Sequence, residues 1–235
     1  MLIDLHAHSK GISRCCQIDG KDMVLVTKNA GMDGIVLTNH YDKNYLVDEN
    51  DVDNFAKRYV DEYYYVKEEG KKIGFKVFFG IEVTMAKHNN IHMLVYGVDP
   101  SFVLKHPDLY DYTHQELYEL VHMHNGILIQ AHPFRKGIDV LLDLKYLDGV
   151  EANCHPLYDA TYVNKLASIA KNNNLLLTCG GDFHNDTHRP KCGVYLNDDL
   201  KDTSKIVSYL KATKEIKLCI QEVKEFETYD YVFIK

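Results

Sequence analysis

Short runs rich in β-branched and aromatic residues alternate with longer polar–apolar stretches along the whole chain of 235 residues. This alternation constrains the fold most, because strands separated by helical crossovers assemble into a parallel sheet, open or closed into a barrel. "MLIDLH", "DGIVLTNH", "GFKVFFGIEVTM", "IHMLVYGVD", "ILIQAHPF", "DGVEANCHP" and "LLLTCGGDFH" read as strands, the fourth hairpinned onto the third through "AKHNN". A helix is expected from Gly20 to Asn29, with Gly31 just past its end. In "DVDNFAKRYVDEYYYVKEEG", Phe55, Tyr59, Tyr63 and Val66 recur at helical spacing. "THQELYELVHMHNG", closed by Gly126, "ATYVNKLASIAKNNN" and "TSKIVSYLKATK" complete the longer helices, and "VLLDL" reads as a short helical piece. "EIKLCI" and "YVFIK" are late strands that end as a sheet edge or a cap. Residues 101–112 form the longest irregular stretch, with room for one turn of helix. No linker or repeat interrupts the pattern, so residues 1–235 are expected to form one domain.

Polar residues then fall where such strands should be apolar. The first strand ends in Asp4, His6 and His8, the second in Asn39 and His40, and the third carries Glu82. His92 begins the hairpin partner; later strands end in His132, in Glu151 and Asn153, and in Asp182 and His184. In α/β barrels the C-terminal strand ends build the active site, and His, Asp and Glu are the residues that hold divalent metals. His6 and His8 are separated by one residue, so on a strand both point to one face and can grip one ion. Asp182 and His184 repeat that geometry. His122 and His124 have the same spacing on a helix, where two residues turn the chain by ~200° and the rings diverge.

Composition narrows the partners. The net charge is −7, which argues against a nucleic-acid polymer because such binders carry a basic stripe. A small anionic substrate fits, since bound cations reverse the local sign. No apolar run approaches ~18 residues, so no membrane span is expected. The six cysteines, Cys15, Cys16, Cys154, Cys179, Cys192 and Cys219, follow no secretory leader and are expected as free thiols in a reducing cytoplasm.

In chain order, "DLHAHS", "GIVLTNH", "GIE", "HMLVYGVD", "AHPF" and "GGDFH" resemble the motifs of the PHP (polymerase and histidinol phosphatase) family. The match runs from residue 2 to about residue 190. The resemblance implies a distorted (β/α)7 barrel with two or three divalent ions, usually manganese, zinc or iron, at the C-terminal ends of the strands. It implies hydrolysis of a phosphoester by hydroxide held on those ions. Carried over motif by motif, His6, His8, Glu82 and Asp182 would hold the first ion; Glu82 would bridge to a second held also by His92 and His132; His40 and His184 would hold a third. The sequence departs from the family pattern in two places. No Asp or His follows the H-x-H pair at the family's usual position, leaving Ser13, Cys15, Cys16 or Asp19 as substitutes. Asn39 stands where an aspartate is common, weakening any pull on His40.

Four further residues are candidates for the chemistry itself. His184 or His155 would protonate the leaving oxygen. Arg135 or Arg189 would fork onto the phosphate. The expected function is therefore a metal-dependent phosphoesterase acting on a small phosphorylated metabolite or nucleotide, the alternatives being a 3′-directed nuclease and a non-catalytic metal-binding domain.

Overall fold

The β-branched runs form twelve strands among the described residues of the computed structural model, which describes all residues but 49, 136–139, 189–190 and 224–226. One six-stranded sheet is built from β1 (Leu2–Ala7), β2 (Gly34–Leu37), β4 (Lys76–Phe79), β10 (Gly193–Tyr195), β11 (Glu215–Gln221) and β12 (Thr228–Ile234), in the order β12-β11-β10-β1-β2-β4. The other contains β3 (His40–Tyr41), β5 (Ile81–Met85), β6 (Ile91–Tyr96), β7 (Ile127–Gln130), β8 (Gly149–Asn153) and β9 (Leu176–Gly180), in the order β3-β5-β6-β7-β8-β9. β1, β2 and β4 run parallel, as do β3 with β5 and β7, β8 and β9. β6 is antiparallel to both its neighbours, with Thr84 opposite His92.

The expected barrel does not close. On one side the two sheets are joined through the chain, where β2 passes to β3 and β4 passes to β5 across Gly80. On the other side they meet at the single bridge Ala7–Phe183 and the bonds from Asp182 N to His6 O (2.8 Å) and His8 N to Phe183 O (3.1 Å). The ladder stops there for a local reason: Asp182 has φ +51°, so the chain leaves the extended conformation directly after β9.

The helices follow their apolar stripes. α1 (Gly20–Asn29) is N-capped by Asp19, whose side chain accepts from Lys21 N, and Gly31 beyond it has φ +89°. α2 (Val52–Lys72) buries Phe55, Tyr59, Tyr63 and Val66 against the sheet, as their spacing requires. α4 (His114–Met123) starts with a capping box between Thr113 and Glu116. Its left-handed terminating residue is Asn125 (φ +60°) rather than Gly126, which instead packs too closely on Tyr96 O to admit a side chain. α5 (Val163–Asn172) and α6 (Thr203–Ala212) lie where expected, and the stretch before α4 contains a short helix, α3 (Ser101–Lys105). "VLLDL" is not helical; a single 3-10 turn begins at its last residue and spans Leu144–Tyr146. β10 has no counterpart in the sequence reading, because "GVY" is too short to show alternation. β12 is the edge of its sheet.

Candidate metal centre

Glu82, on β5, is the hub of the site and is fully buried. Its Oε1 lies 3.2 Å from His6 Nε2, 2.9 Å from His92 Nδ1 and 3.1 Å from His132 Nε2. Its Oε2 lies 2.6 Å from His40 Nδ1 and 3.4 Å from His8 Nε2. Asp182 supplies the second carboxylate: its Oδ1 is 3.5 Å from His6 Nε2, 3.0 Å from His8 Nε2 and 3.3 Å from His184 Nδ1. The eight residues expected as ligands, drawn from six strands or the loops that follow them, therefore meet in one place. His6, His8 and Asp182 form one group able to hold an ion, and His40, Glu82 and His92 a second. His8, His40 and His184 form a third, so His40 serves two groups rather than the third alone.

The atoms in this cluster are arranged as ligands. His6 Nδ1 is 2.9 Å from Glu151 Oε1, and a carboxylate only accepts, so the proton sits on Nδ1 and the lone pair on Nε2 faces Glu82 and Asp182. Ser13 Oγ donates to Asn39 Oδ1 (2.9 Å), which leaves it accepting from His8 Nδ1 (3.1 Å) and from His40 N (3.0 Å). His8 is thereby held in the tautomer whose Nε2 lone pair faces the carboxylates. His6 Nε2, His40 Nδ1 and Glu82 Oε2 are buried and make no well-directed hydrogen bond, close as they stand to one another's residues. Lone pairs and carboxylates converging on one point repel unless a cation lies between them. The residues present thus fit divalent ions.

Burial alone would raise Glu82, but the facing imidazoles of His40, His92 and His6 overcome it and hold its carboxyl well below the usual range. Burial likewise opposes charge on His40, yet the Glu82 carboxylate pushes it up to about 10. His92 is pulled down to about 4 by burial, against the pull of Glu82. His132 and Asp182 carry φ values of +29° and +51°, unusual for side-chain-bearing residues and typical of places where the backbone is bent to aim a functional group.

The other candidates divide. Of the four substitutes after the H-x-H pair, Ser13 orients His8, Asp19 caps α1, and Cys16 Sγ donates to the carbonyls of His8 and His184. Only Cys15 faces the cluster, with Sγ 3.1 Å from His184 Nε2. Asn39 does not pull on the His40 ring; it acts through Ser13. Arg135 donates from Nη1 to Tyr158 OH (3.1 Å), and Tyr158 OH donates to Asp182 Oδ2 (2.8 Å). His155 stacks on Tyr158 with ring centroids 4.7 Å apart. Arg135, His155, Tyr158, His184 and Cys15 line a pocket of ≈ 450 Å³ over the carboxylates. A larger hollow beside α1, lined by Lys10, Asp22 and Leu25, has none of the clustered imidazoles. Arg189 lies outside the described residues. His122 and His124 diverge as their helical spacing requires: His122 pairs with Asp148 and His124 packs on Phe102.

Solved structures with this arrangement of strands carry related names. A protein from Bifidobacterium adolescentis, provisionally called a metal-dependent phosphoesterase, superposes with a TM-score of 0.58 at 16% identity, over 89% of this chain and 95% of that one. A two-domain protein from Bacteroides vulgatus, with a part provisionally called a PHP-like metal-dependent phosphoesterase, gives 0.59 at 15% identity, over 98% of this chain and 64% of its own. The chain shares the fold of PHP-like metal-dependent phosphoesterases. An amidohydrolase from Chromobacterium violaceum, solved with bound sulfate and no metal, superposes too, at TM-score 0.57 and 14% identity over 88% of this chain and 96% of that one. No family model and no curated protein matches the sequence.

Within this PHP-like fold, Tyr158 is a part of the site that the sequence does not point to, and Glu151 and Ser13 take roles other than the ones expected of them. Tyr158 links Arg135 to Asp182 from a loop with no periodic signal. Glu151 was visible as a strand-end carboxylate, but its role of orienting His6 and accepting from His132 N (2.9 Å) depends on strand neighbours far apart in sequence. Ser13, a candidate ligand by its position after the H-x-H pair, instead orients His8.

Proposed function

We propose that the protein is a metal-dependent phosphoesterase that hydrolyses a small phosphorylated substrate in the pocket over Glu82 and Asp182. The observation that carries this reading is the convergence of six imidazoles on two buried carboxylates, with His6 Nε2, His40 Nδ1 and Glu82 Oε2 making no well-directed hydrogen bond. His6, His8, His40, Glu82, His92, His132, Asp182 and His184 would hold two or three divalent ions, with manganese, zinc and iron all compatible with imidazole and carboxylate donors. When bound, such ions neutralise the phosphate oxygens and lower the pKa of water. The chain's own groups do the rest. Arg135, partly buried at the pocket wall, offers a planar fork to the phosphate, and Tyr158 holds that fork in place. His155 accepts the Leu157 amide at Nδ1 (3.1 Å), so its proton is on Nε2; burial pulls the ring down to about 4, and we assign this neutral ring a hydrogen bond from Nε2 to the leaving oxygen. No observation favours a nuclease or a non-catalytic domain over this reading.

The test is to load the purified protein with manganese, zinc or ferrous ions and screen phosphomonoesters and diesters. Turnover that is lost in Glu82→Gln, and that falls more in kcat than in KM for His155→Asn, supports the reading. Metal-loaded protein that hydrolyses none of them overturns it.

A further inference from the structure

Three cysteines outside the candidate site come together in the core. Cys154 follows β8, Cys179 lies on β9 and Cys192 precedes β10. All three are buried, and their sulfurs lie within 4.8 Å of one another, with Cys154 Sγ and Cys179 Sγ 3.6 Å apart. Three sulfurs bound to one ion at a metal–sulfur distance of about 2.3 Å stand roughly 3.8–4 Å apart, so little movement separates this arrangement from a ligand set. Cys154 Sγ already accepts the Gln221 amide (3.4 Å), the kind of bond that stabilises a thiolate. A second observation points the same way. Asp4 Oδ2 is buried without a hydrogen-bond partner, and a methyl placed on Gly181 would lie 2.8 Å from it and 3.2 Å from Cys192 Sγ. The orphaned oxygen and the sulfur thus both pack closely against Gly181.

We propose that Cys154, Cys179 and Cys192 bind one thiophilic cation of the zinc class, separate from the ions at Glu82. Three metal–sulfur bonds form, the three thiol protons pass to solvent, and no electron is transferred. Thiolate donors select soft and borderline cations over manganese or magnesium. The placement gives the ion a structural task. β9 belongs to one sheet and β10 to the other, and among the described residues the sheets meet nearby at the bridge Ala7–Phe183 and two flanking backbone hydrogen bonds. An ion held from both sides staples that seam. Because the sulfurs have no exposure, the ion enters as the chain folds and leaves only when it opens.

The probe is cobalt(II), whose ligation by sulfur gives a near-ultraviolet charge-transfer band. The reduced chain carrying Cys15→Ser, which removes the exposed thiol, is unfolded, stripped with chelator and refolded with cobalt. A sulfur-ligated cobalt that persists through native-state chelation is expected, together with its retention in Glu82→Gln and its loss in Cys154→Ser and Cys192→Ser. No charge-transfer band from the folded parent, or a band that survives both serine variants, overturns the proposal. Should the serine variants fail to fold, X-ray absorption on the parent decides: three sulfurs on cobalt support it and fewer overturn it. Retention in Glu82→Gln separates this site from the fate of the phosphoesterase reading.

Discussion

Ser13 places one hydroxyl between three groups of the site, donating to Asn39 and accepting from His8 Nδ1 and His40 N. Ser13→Ala removes the acceptor that sets the His8 tautomer, and changes of that kind weaken metal binding roughly 10–100-fold. It also leaves the buried His40 N–H without its partner, at a cost of about 1–3 kcal/mol to the metal-free fold. Chelator competition measures the first effect and urea unfolding the second; an unchanged metal affinity would show that His8 is oriented by other means. Residue identity was legible where chemistry is written in the residue type, as for His6, His8 and Asp182. It was not legible for Tyr158 and Glu151, whose roles arise from partners 24 and 145 positions away.

At the scale of elements, α2 begins beside a clamp in which Asp51 accepts from Arg58 Nη1 (3.0 Å) and Nη2 (2.6 Å) and from Val47 N (3.0 Å). The Arg58 hydrogen bonds hold the Asp51 carboxyl at about 2, below its ordinary 3.8. A depressed carboxyl stabilises the fold above its ordinary pKa and loses that contribution as pH falls through the folded value. Arg58→Ala should therefore lower stability at neutral pH, with the difference from the parent shrinking below pH 3.8 and vanishing only as pH falls below about 2. Urea unfolding at stepped pH checks this, and a difference that does not shrink as pH falls from 3.8 through 2 would assign the effect to packing instead. The end of β9 offers a second case. A Cβ on Gly180 would lie 2.4 Å from His6 Cβ and 2.6 Å from Glu151 Oε1. Gly180→Ala should destabilise by roughly 1–3 kcal/mol through overpacking and should also weaken metal binding, because the atom it strikes belongs to a proposed ligand. Denaturation and metal stoichiometry on the same sample test both halves. Helices were legible in the sequence through their stripes and caps, as with Phe55, Tyr59 and Tyr63. "VLLDL" and "GVY" were not, because runs this short carry no period.

For the whole molecule, the proposed ions bind only the folded arrangement, since the eight ligands are spread from His6 to His184. Saturating divalent metal should then raise stability by about 4 kcal/mol at a thousandfold excess over Kd. Calorimetry of chelated and reloaded protein measures the shift, which should vanish in Glu82→Gln; an equal shift in that variant would place the ions elsewhere. No helix among the described residues is long and apolar enough to cross a membrane.

By itself the sequence determined the longer helices and the residue types at the strand ends, because periodicity and donor chemistry are properties of local sequence, but "DGIVLTNH" and "GFKVFFGIEVTM", expected as one strand each, both divide into two strands of different sheets. It could not determine that the strands divide into two sheets, since that depends on the turn at Asp182 and on pairings settled by packing between distant segments, although the β5–β6 hairpin was legible in the sequence. For the same reason only the tertiary structure brought Cys154, Cys179 and Cys192 together and placed Ser13 behind His8 instead of beside an ion.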